Sequence, residues 1–384
     1  MKKSILVLSA YDAISHRQWR CTLAQLFPQF QWTQLTLPPR HFSWRVRGNS
    51  LSWGFGDSPA FKQHYDLLIA TSMVDLASLR GFIPMLAELP TLVYFHENQF
   101  AYPVNPRQTR QNQFNNLDAA MVSLYTALCA QQLVFNSEYN RHSFLAGVSN
   151  LLHTLPDQVP KGIEDRLARS SVVPVPVELD LQVAPGPQPH DPQVLDVAWN
   201  HRWEYDKGID LLLQVVQTVV SRRLPVRFHI LGQQFRQQPA EFELIRQLLQ
   251  ELENQNSKLR PRLGYIPDRS EYLAELANCD VVLSTARHDF QGLAVIEASA
   301  LGCTPLCPAD LAYPEYLDSQ FLFELCSDNA QDKCAERIVD QLVEWHSRKS
   351  QGQTLPKFDP QQFSPTALKE SYLTLIKELT DQGT

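Results

Sequence analysis

Apolar residues in this chain gather in short blocks, and most blocks end abruptly in small or polar residues. Ser4–Ser9, Tyr65–Ser72, Leu92–Phe95 and Gln132–Ser137 are blocks of this kind, too short for helices and rich in β-prone residues. Between them lie longer segments of helix formers, with helices predicted around Arg17–Leu26, Leu117–Ala130 and Glu138–Leu145. Strand and helix in alternation specify a parallel sheet with helices on both faces.

Val172–Val177 reads as a strand that its prolines confine to an edge or an exit. It runs into Val183-Ala-Pro-Gly-Pro-Gln-Pro-His-Asp-Pro192, a proline-rich linker. The alternation then restarts. Strands are expected at Val194–Trp199, Val226–Leu231, Asp280–Ser284 and Thr304–Cys307, and helices at Leu211–Val220, Glu241–Glu253 and from Gly292 toward Gly302. A last apolar stripe, Thr366–Leu379, predicts a helix that packs back across both halves. The expected division is a first domain at 1–180, a linker at 181–192, a second domain at 193–365 and the final helix at 366–384. Two α/β domains with a hinge put a ligand cleft at their interface.

Charge changes this picture by separating the halves. Of the net −7, residues 1–180 carry +2 and residues 181–384 carry −9, so a polyanionic partner is expected on the first half. The seven scattered cysteines suggest reduced thiols in a cytoplasmic protein, and Cys303 and Cys307 read as core residues. No apolar run approaches the roughly 20 residues needed to span a bilayer. The apolar run after Lys2 and Lys3 is too short for a signal peptide.

Candidate chemistry sits where the blocks end. Gly292 opens a helix directly after a strand and loop, and a helix start offers N–H groups and partial positive charge to a phosphate. Asp289 precedes it and Glu297 follows, so two acids flank the helix start, placed to take hydroxyls on either side of a diphosphate. A capping aspartate and a solvated glutamate would show the same spacing. Asn200-His-Arg-Trp-Glu-Tyr-Asp-Lys-Gly208 ends another strand, and Arg202 and Lys207 there can offset diphosphate charge without a metal, unless they are surface cations of a turn. Glu204-x-Asp206 is the nearest approach to an Asp-x-Asp metal motif. Tyr265, in Gly264-Tyr-Ile-Pro267, suits a flat nucleobase.

In the first half, Ser15 and His16 follow a strand where an open α/β sheet makes ligand contacts, or else Ser15 caps a helix beside an incidental histidine. No Gly-x-Gly-x-x-Gly follows that strand. Leu37–Gly48 interleaves Arg40, His41, Trp44, Arg45 and Arg47, giving either a loop that takes phosphates and stacks a base or an edge strand with solvated arginines. His96, Glu97, Asn98 and Gln99 end a strand that needs no such polar run for stability, and Arg107 and Arg110 continue the loop.

These strings together resemble a known family. Asp289 and Glu297 form an acid-x7-acid motif similar to that of the retaining glycosyltransferases of family 4. His96-Glu-Asn-Gln99 with Tyr102-Pro-Val104, Asn200 to Lys207, His288-Asp-Phe-Gln-Gly292 with Tyr313-Pro-Glu315, and Leu37-Pro-Pro with Trp44-Arg-Val-Arg47 are similar to the tRNA-queuosine α-mannosyltransferase family. The resemblance covers nearly the whole chain. It implies the α/β GT-B fold, two Rossmann-like domains facing each other across an inter-domain cleft. It implies transfer of mannose from the substrate GDP-mannose to queuosine at the wobble position of tRNA-Asp, with retention and with no cofactor or metal. By this resemblance Arg202 and Lys207 hold the diphosphate with the amides of Gly292, Leu293 and Ala294. Glu297 takes the ribose, Asp289 the sugar, and His96 reaches the sugar near its reacting carbon. Asn200 and Tyr265 complete the donor set, and Ser15, His16, Arg40, Trp44, Arg45, Arg47, Glu97, Asn98 and Arg107 the acceptor set. The chain departs from the wider family in the first acid, Asp289 in place of the usual glutamate, and in lacking a glycine pair in Tyr11–His16.

Two other readings compete. A glycosyltransferase of this fold acting on a lipid or glycan would bring an amphipathic membrane-binding helix in the first half, which the sequence does not offer. A non-catalytic nucleotide- or RNA-binding module would not need His96, Arg202, Lys207 and Glu297 together.

Overall fold

A computed structural model describes residues 2–101, 110–156, 158, 160–181, 191–234, 239–326 and 331–381. Arg107, Tyr102–Val104 and most of the 181–192 linker lie outside them. The chain divides into two units, Met1–Pro176 with Phe363–Thr384, and Val177–Gln362.

The first unit is built on β1 (Ser4–Ser9), β2 (Gln31–Thr36), β3 (Leu67–Thr71), β4 (Thr91–Phe95), β5 (Gln132–Phe135) and β6 (Ser171–Val172). They form one sheet in the order β2-β1-β3-β4-β5-β6, with every pairing parallel. Every residue of β3 and β4 is buried, which is why those strands read as solid apolar blocks. Each fully buried Leu, Val or Phe side chain contributes about 1.5–3 kcal/mol against the entropy of ordering the chain.

The second unit carries β7 (Leu195–Asn200), β8 (Val226–Leu231), β9 (Arg262–Gly264), β10 (Val281–Leu283), β11 (Thr304–Pro308) and β12 (Leu322–Phe323). Their order is β12-β11-β10-β7-β8-β9, again parallel throughout. The chain winds outward from β7 to β9, crosses back to the other side of β7, and winds outward again through β10 to β12. Loops leaving β7 and β10 therefore diverge, and the crevice between them is where sheets of this type bind ligands.

Several elements differ from expectation. Leu37–Gly48 is a loop only as far as His41: from Phe42 it is a helix, Phe42–Gly54, entered through His41 at φ 56°. Two prolines delay that helix without preventing it. Ser15 and His16 lie within the helix Ile14–Leu26, not in a loop before it. β6 stops at Val172, because Pro174 and Pro176 have no N–H for a further ladder. The final helix runs Pro365–Asp381 and belongs to the first unit, with the Tyr372 hydroxyl donating to Pro174 O at 2.8 Å and accepting from Trp19 Nε1 at 3.0 Å.

One buried ionic group sets a pH response. His229 on β8 lies between two carboxylates, Nε2 2.9 Å from Asp196 Oδ1 and Nδ1 2.7 Å from Glu275 Oε1. Burial disfavours its charge, but the two carboxylates outweigh burial and raise its pKa above the ordinary 6.5. A raised folded-state pKa stabilises fully below the unfolded value and is lost as pH rises through the folded one. Unfolding of the second unit, followed by tryptophan fluorescence, is therefore expected to show stability falling as pH climbs above 6.5, with His229→Gln abolishing that slope.

Candidate active site

β7 is buried along its whole length and delivers Asn200, His201 and Arg202 at its carboxyl end. The chain then makes a single turn, Tyr205–Lys207, and enters the helix Ile209–Ser221 through Gly208. Gly208 has φ +66°, and a Cβ there would stand 1.8 Å from Thr285 O, so the two loops meet at a point where only glycine fits. Lys207 is buried, donating to His288 O at 2.7 Å and pairing with Asp206 at 3.2 Å. The Asp206 carbonyl in turn accepts from Arg287 N at 2.9 Å and His288 N at 3.2 Å. Arg202 is exposed and pairs with Glu204 at 3.0 Å.

Beyond β10, Asp289 turns back onto the helix it precedes. Its Oδ1 accepts from Gly292 N at 2.9 Å and its Oδ2 from the Tyr313 hydroxyl at 3.2 Å. Burial works against its charge, but Lys207, His201 and the N–H groups of Gly292 and Gln291 outweigh burial and hold its pKa below the ordinary value. His201 and His288 are each pushed down to about 4, first by burial and then by Lys207, so both are neutral at pH 7. Gly292 caps the helix Leu293–Ala300 at φ +74°, and a Cβ would come within 2.6 Å of the Tyr316 hydroxyl. The first turn of that helix presents the N–H groups of Leu293 and Ala294, which have no intrahelical acceptor.

Glu297 lies on the same helix with its side chain 14% exposed. One carboxylate oxygen pairs with the Arg269 guanidinium, and the other accepts from the Tyr272 hydroxyl at 2.8 Å. Tyr272 also accepts from Asn200 Nδ2 at 2.6 Å, so the ends of β7 and of the Glu297 helix are joined through one hydroxyl. Asn200, Lys207, Asp289, Gly292 and Glu297 are thus brought into one connected set. Tyr265 is 54% exposed just past β9. Sequence reasoning missed Arg269, Tyr272 and Tyr313. The only signal was Tyr313-Pro-Glu315, noted as a string and given no role.

In the first unit, His96 is buried at the end of β4 and stacks on His16, with ring centroids 4.0 Å apart. Trp19 and Tyr94 each meet the His96 ring edge-on at 4.7 Å. Neither ring nitrogen of His96 has a hydrogen-bond partner among the described residues. Burial, and secondarily His16, keep its pKa well below 6.5, while His16 itself is pushed down to about 4 by burial despite Asp12. Asn98 is a correction to the acceptor set. It is fully buried, its amide donates to Asn140 and Ser143, and its carbonyl accepts from Phe100 N and Ala101 N. It shapes the loop and has nothing left for a ligand. Glu97 is half-buried and its carbonyl accepts from Ser72 Oγ at 3.0 Å. Arg45 is buried because the helix turns it inward, Arg47 pairs with Asp118 at 2.9 Å on the surface, and Arg40 and Trp44 remain exposed.

Residues 4–177 match the family described as tRNA-queuosine alpha-mannosyltransferase N-terminal, and residues 188–357 match glycosyl transferases group 1. The chain is 30% identical over 390 residues to a tRNA-queuosine alpha-mannosyltransferase of Drosophila melanogaster, covering 99% of this chain and 98% of that protein. Among solved structures, sucrose-phosphate synthase from Thermosynechococcus elongatus superposes with TM-score 0.64 at 17% identity, covering 99% of this chain and 100% of that one. Anabaena HepE in complex with UDP-glucose superposes with TM-score 0.58 at 15% identity, covering 98% and 99%. These likenesses establish the GT-B fold class.

The histidine stack has a direct readout. NMR titration of the ring protons is expected to show His16 neutral until pH approaches about 4. A midpoint near the ordinary 6.5 would mean that the stack opens to water in solution.

Proposed function

Because the chain belongs to the tRNA-queuosine alpha-mannosyltransferase family, we propose that it transfers mannose from GDP-mannose to queuosine at the wobble position of tRNA-Asp, with retention of configuration. It is a glycosyltransferase, and the finer assignment is carried by one observation. Lys207, Asp289, the Gly292 helix start and Glu297 are linked into a single constellation at the carboxyl end of β7 and β10, where such a sheet takes a nucleotide.

Arg202 and Lys207 balance the diphosphate charge in place of a metal ion, with the first-turn amides of Leu293 and Ala294 aimed at the same group. Glu297 takes the ribose hydroxyls, Asp289 the hydroxyls of the sugar, and Tyr265 lies along the base. We give His96 the contact near the reacting carbon. The bond from that carbon to the β-phosphate oxygen breaks as a queuosine hydroxyl oxygen bonds to the same carbon. The hydroxyl proton passes to the departing phosphate, so no enzymic nucleophile is needed. Catalysis then rests on orientation and on stabilising the leaving charge.

Two features favour RNA as acceptor. The half without net negative charge carries the exposed Arg40 and Trp44, one for a phosphate and one for a base. No helix among the described residues is long and apolar enough to cross a membrane, and we place the enzyme in the cytoplasm.

Incubation with GDP-mannose and queuosine-containing tRNA should yield a mannosylated nucleoside by mass spectrometry of the digest, with UDP-sugars as controls and turnover unaffected by EDTA. Arg202 is exposed, so Arg202→Ala should fold normally while kcat falls on the order of 100-fold. Turnover at the wild-type rate would remove Arg202 from the donor site. Arg40→Ala and Trp44→Ala should weaken tRNA binding without altering GDP affinity. Arg40→Ala should also reduce the salt slope of binding by about one.

A further inference from the structure

Glu297 is a half-buried carboxylate with three side-chain torsions, yet both of its oxygens are spoken for within the protein. Arg269 and Tyr272 stand one turn apart on the helix Arg269–Ala277, whose start is fixed by Asp268 accepting from Glu271 N at 2.8 Å. The Arg269 guanidinium sits 5.2 Å from the Tyr272 ring centroid and pairs with one Glu297 oxygen, while the Tyr272 hydroxyl donates to the other at 2.8 Å. Tyr272 is in turn fixed by Asn200 Nδ2 at 2.6 Å. Each carboxylate oxygen accepts more than one hydrogen bond, so the grip leaves acceptor capacity for two further donors.

We propose that Arg269 and Tyr272 are positioning residues that clamp Glu297 in the orientation needed to accept both hydroxyls of the donor ribose. The proposal rests on the reading in which Glu297 contacts that ribose. A free glutamate would have to order its torsions on binding, whereas the clamped one is ordered in advance, as a precise site requires. Arg269 has the further effect of neutralising a charge that burial would otherwise disfavour.

Calorimetric binding of GDP and of 2′,3′-dideoxy-GDP provides the test, because their affinity ratio reports the ribose hydroxyls alone. The wild-type chain should prefer GDP on the order of 100-fold, from two charge-assisted hydrogen bonds. Glu297→Ala should bring the ratio close to unity. Tyr272→Phe and Arg269→Gln should each cut it by about tenfold, with affinity for the dideoxy compound unchanged. Arg269→Lys should recover part of the loss. A merely structural role would lower the melting temperature and leave the ratio alone. An intact ratio in both clamp variants, in a wild type that discriminates, overturns the clamp and leaves the ribose contact standing. Equal binding of the two nucleotides by the wild type overturns the ribose contact and the clamp together. Arg269 is half-exposed, so Arg269→Gln answers the question even where Tyr272→Phe fails to fold.

Discussion

The Lys207 ammonium, buried against the His288 carbonyl, holds the second unit's site together. A buried ammonium is costly unless its donors are used, and Lys207 uses them on Asp206 and on a loop more than 80 residues away in sequence. That distance is spanned because β10 returns to lie beside β7. The staple fixes the backbone at His288, and the fixed backbone aims Asp289 at the amide of Gly292. The helix bearing Glu297 starts from that point. A fault at Lys207 would therefore misplace Asp289, the helix start and Glu297 in turn, even though the Lys207 ammonium itself bonds only Asp206 and the His288 carbonyl among the described residues.

Much of this was readable beforehand. A strand buried on both faces must be apolar throughout, so the parallel sheets were visible as solid blocks, and Gly292 marked its helix because the position needs a left-handed residue. Short or half-buried strands were not visible. Gln31–Thr36, with four polar residues among six, and the two-residue β12 have no block to show. Arg269 and Tyr272 were equally silent, because their importance comes from where Glu297 lies in space and no local pattern records that. Trp44, Arg45 and Arg47 show the converse error. Cations and aromatics read as one exposed run, but helical spacing turned Arg45 inward and left Trp44 outside.

The polar ending of β4 separates two kinds of residue that look alike in sequence. His96 is stacked and buried with no hydrogen-bond partner among the described residues, a costly state that a structural residue would avoid. Asn98 is equally buried but fully satisfied. It belongs with Asn136, which donates to the His96 carbonyl at 2.9 Å, and Asn140, which donates to the Phe95 carbonyl at 2.9 Å. These amides bind the loop's backbone. The histidine they present has its ring nitrogens left over.

The helix Pro365–Asp381 also bears on how the chain comes to be folded. Its Tyr372 hydroxyl joins Trp19, Tyr94 and Pro174, residues made long before it, so the first unit lacks this structural piece until the chain beyond the second unit has been made. The second unit is contiguous, whereas the first is completed only by a segment that follows the second, so the first cannot finish before the second has been made. A nascent chain halted before residue 363 would hold the Trp19 indole N–H and the Pro174 carbonyl without their native partner, making the earlier-made half the more vulnerable to chaperone capture and proteolysis.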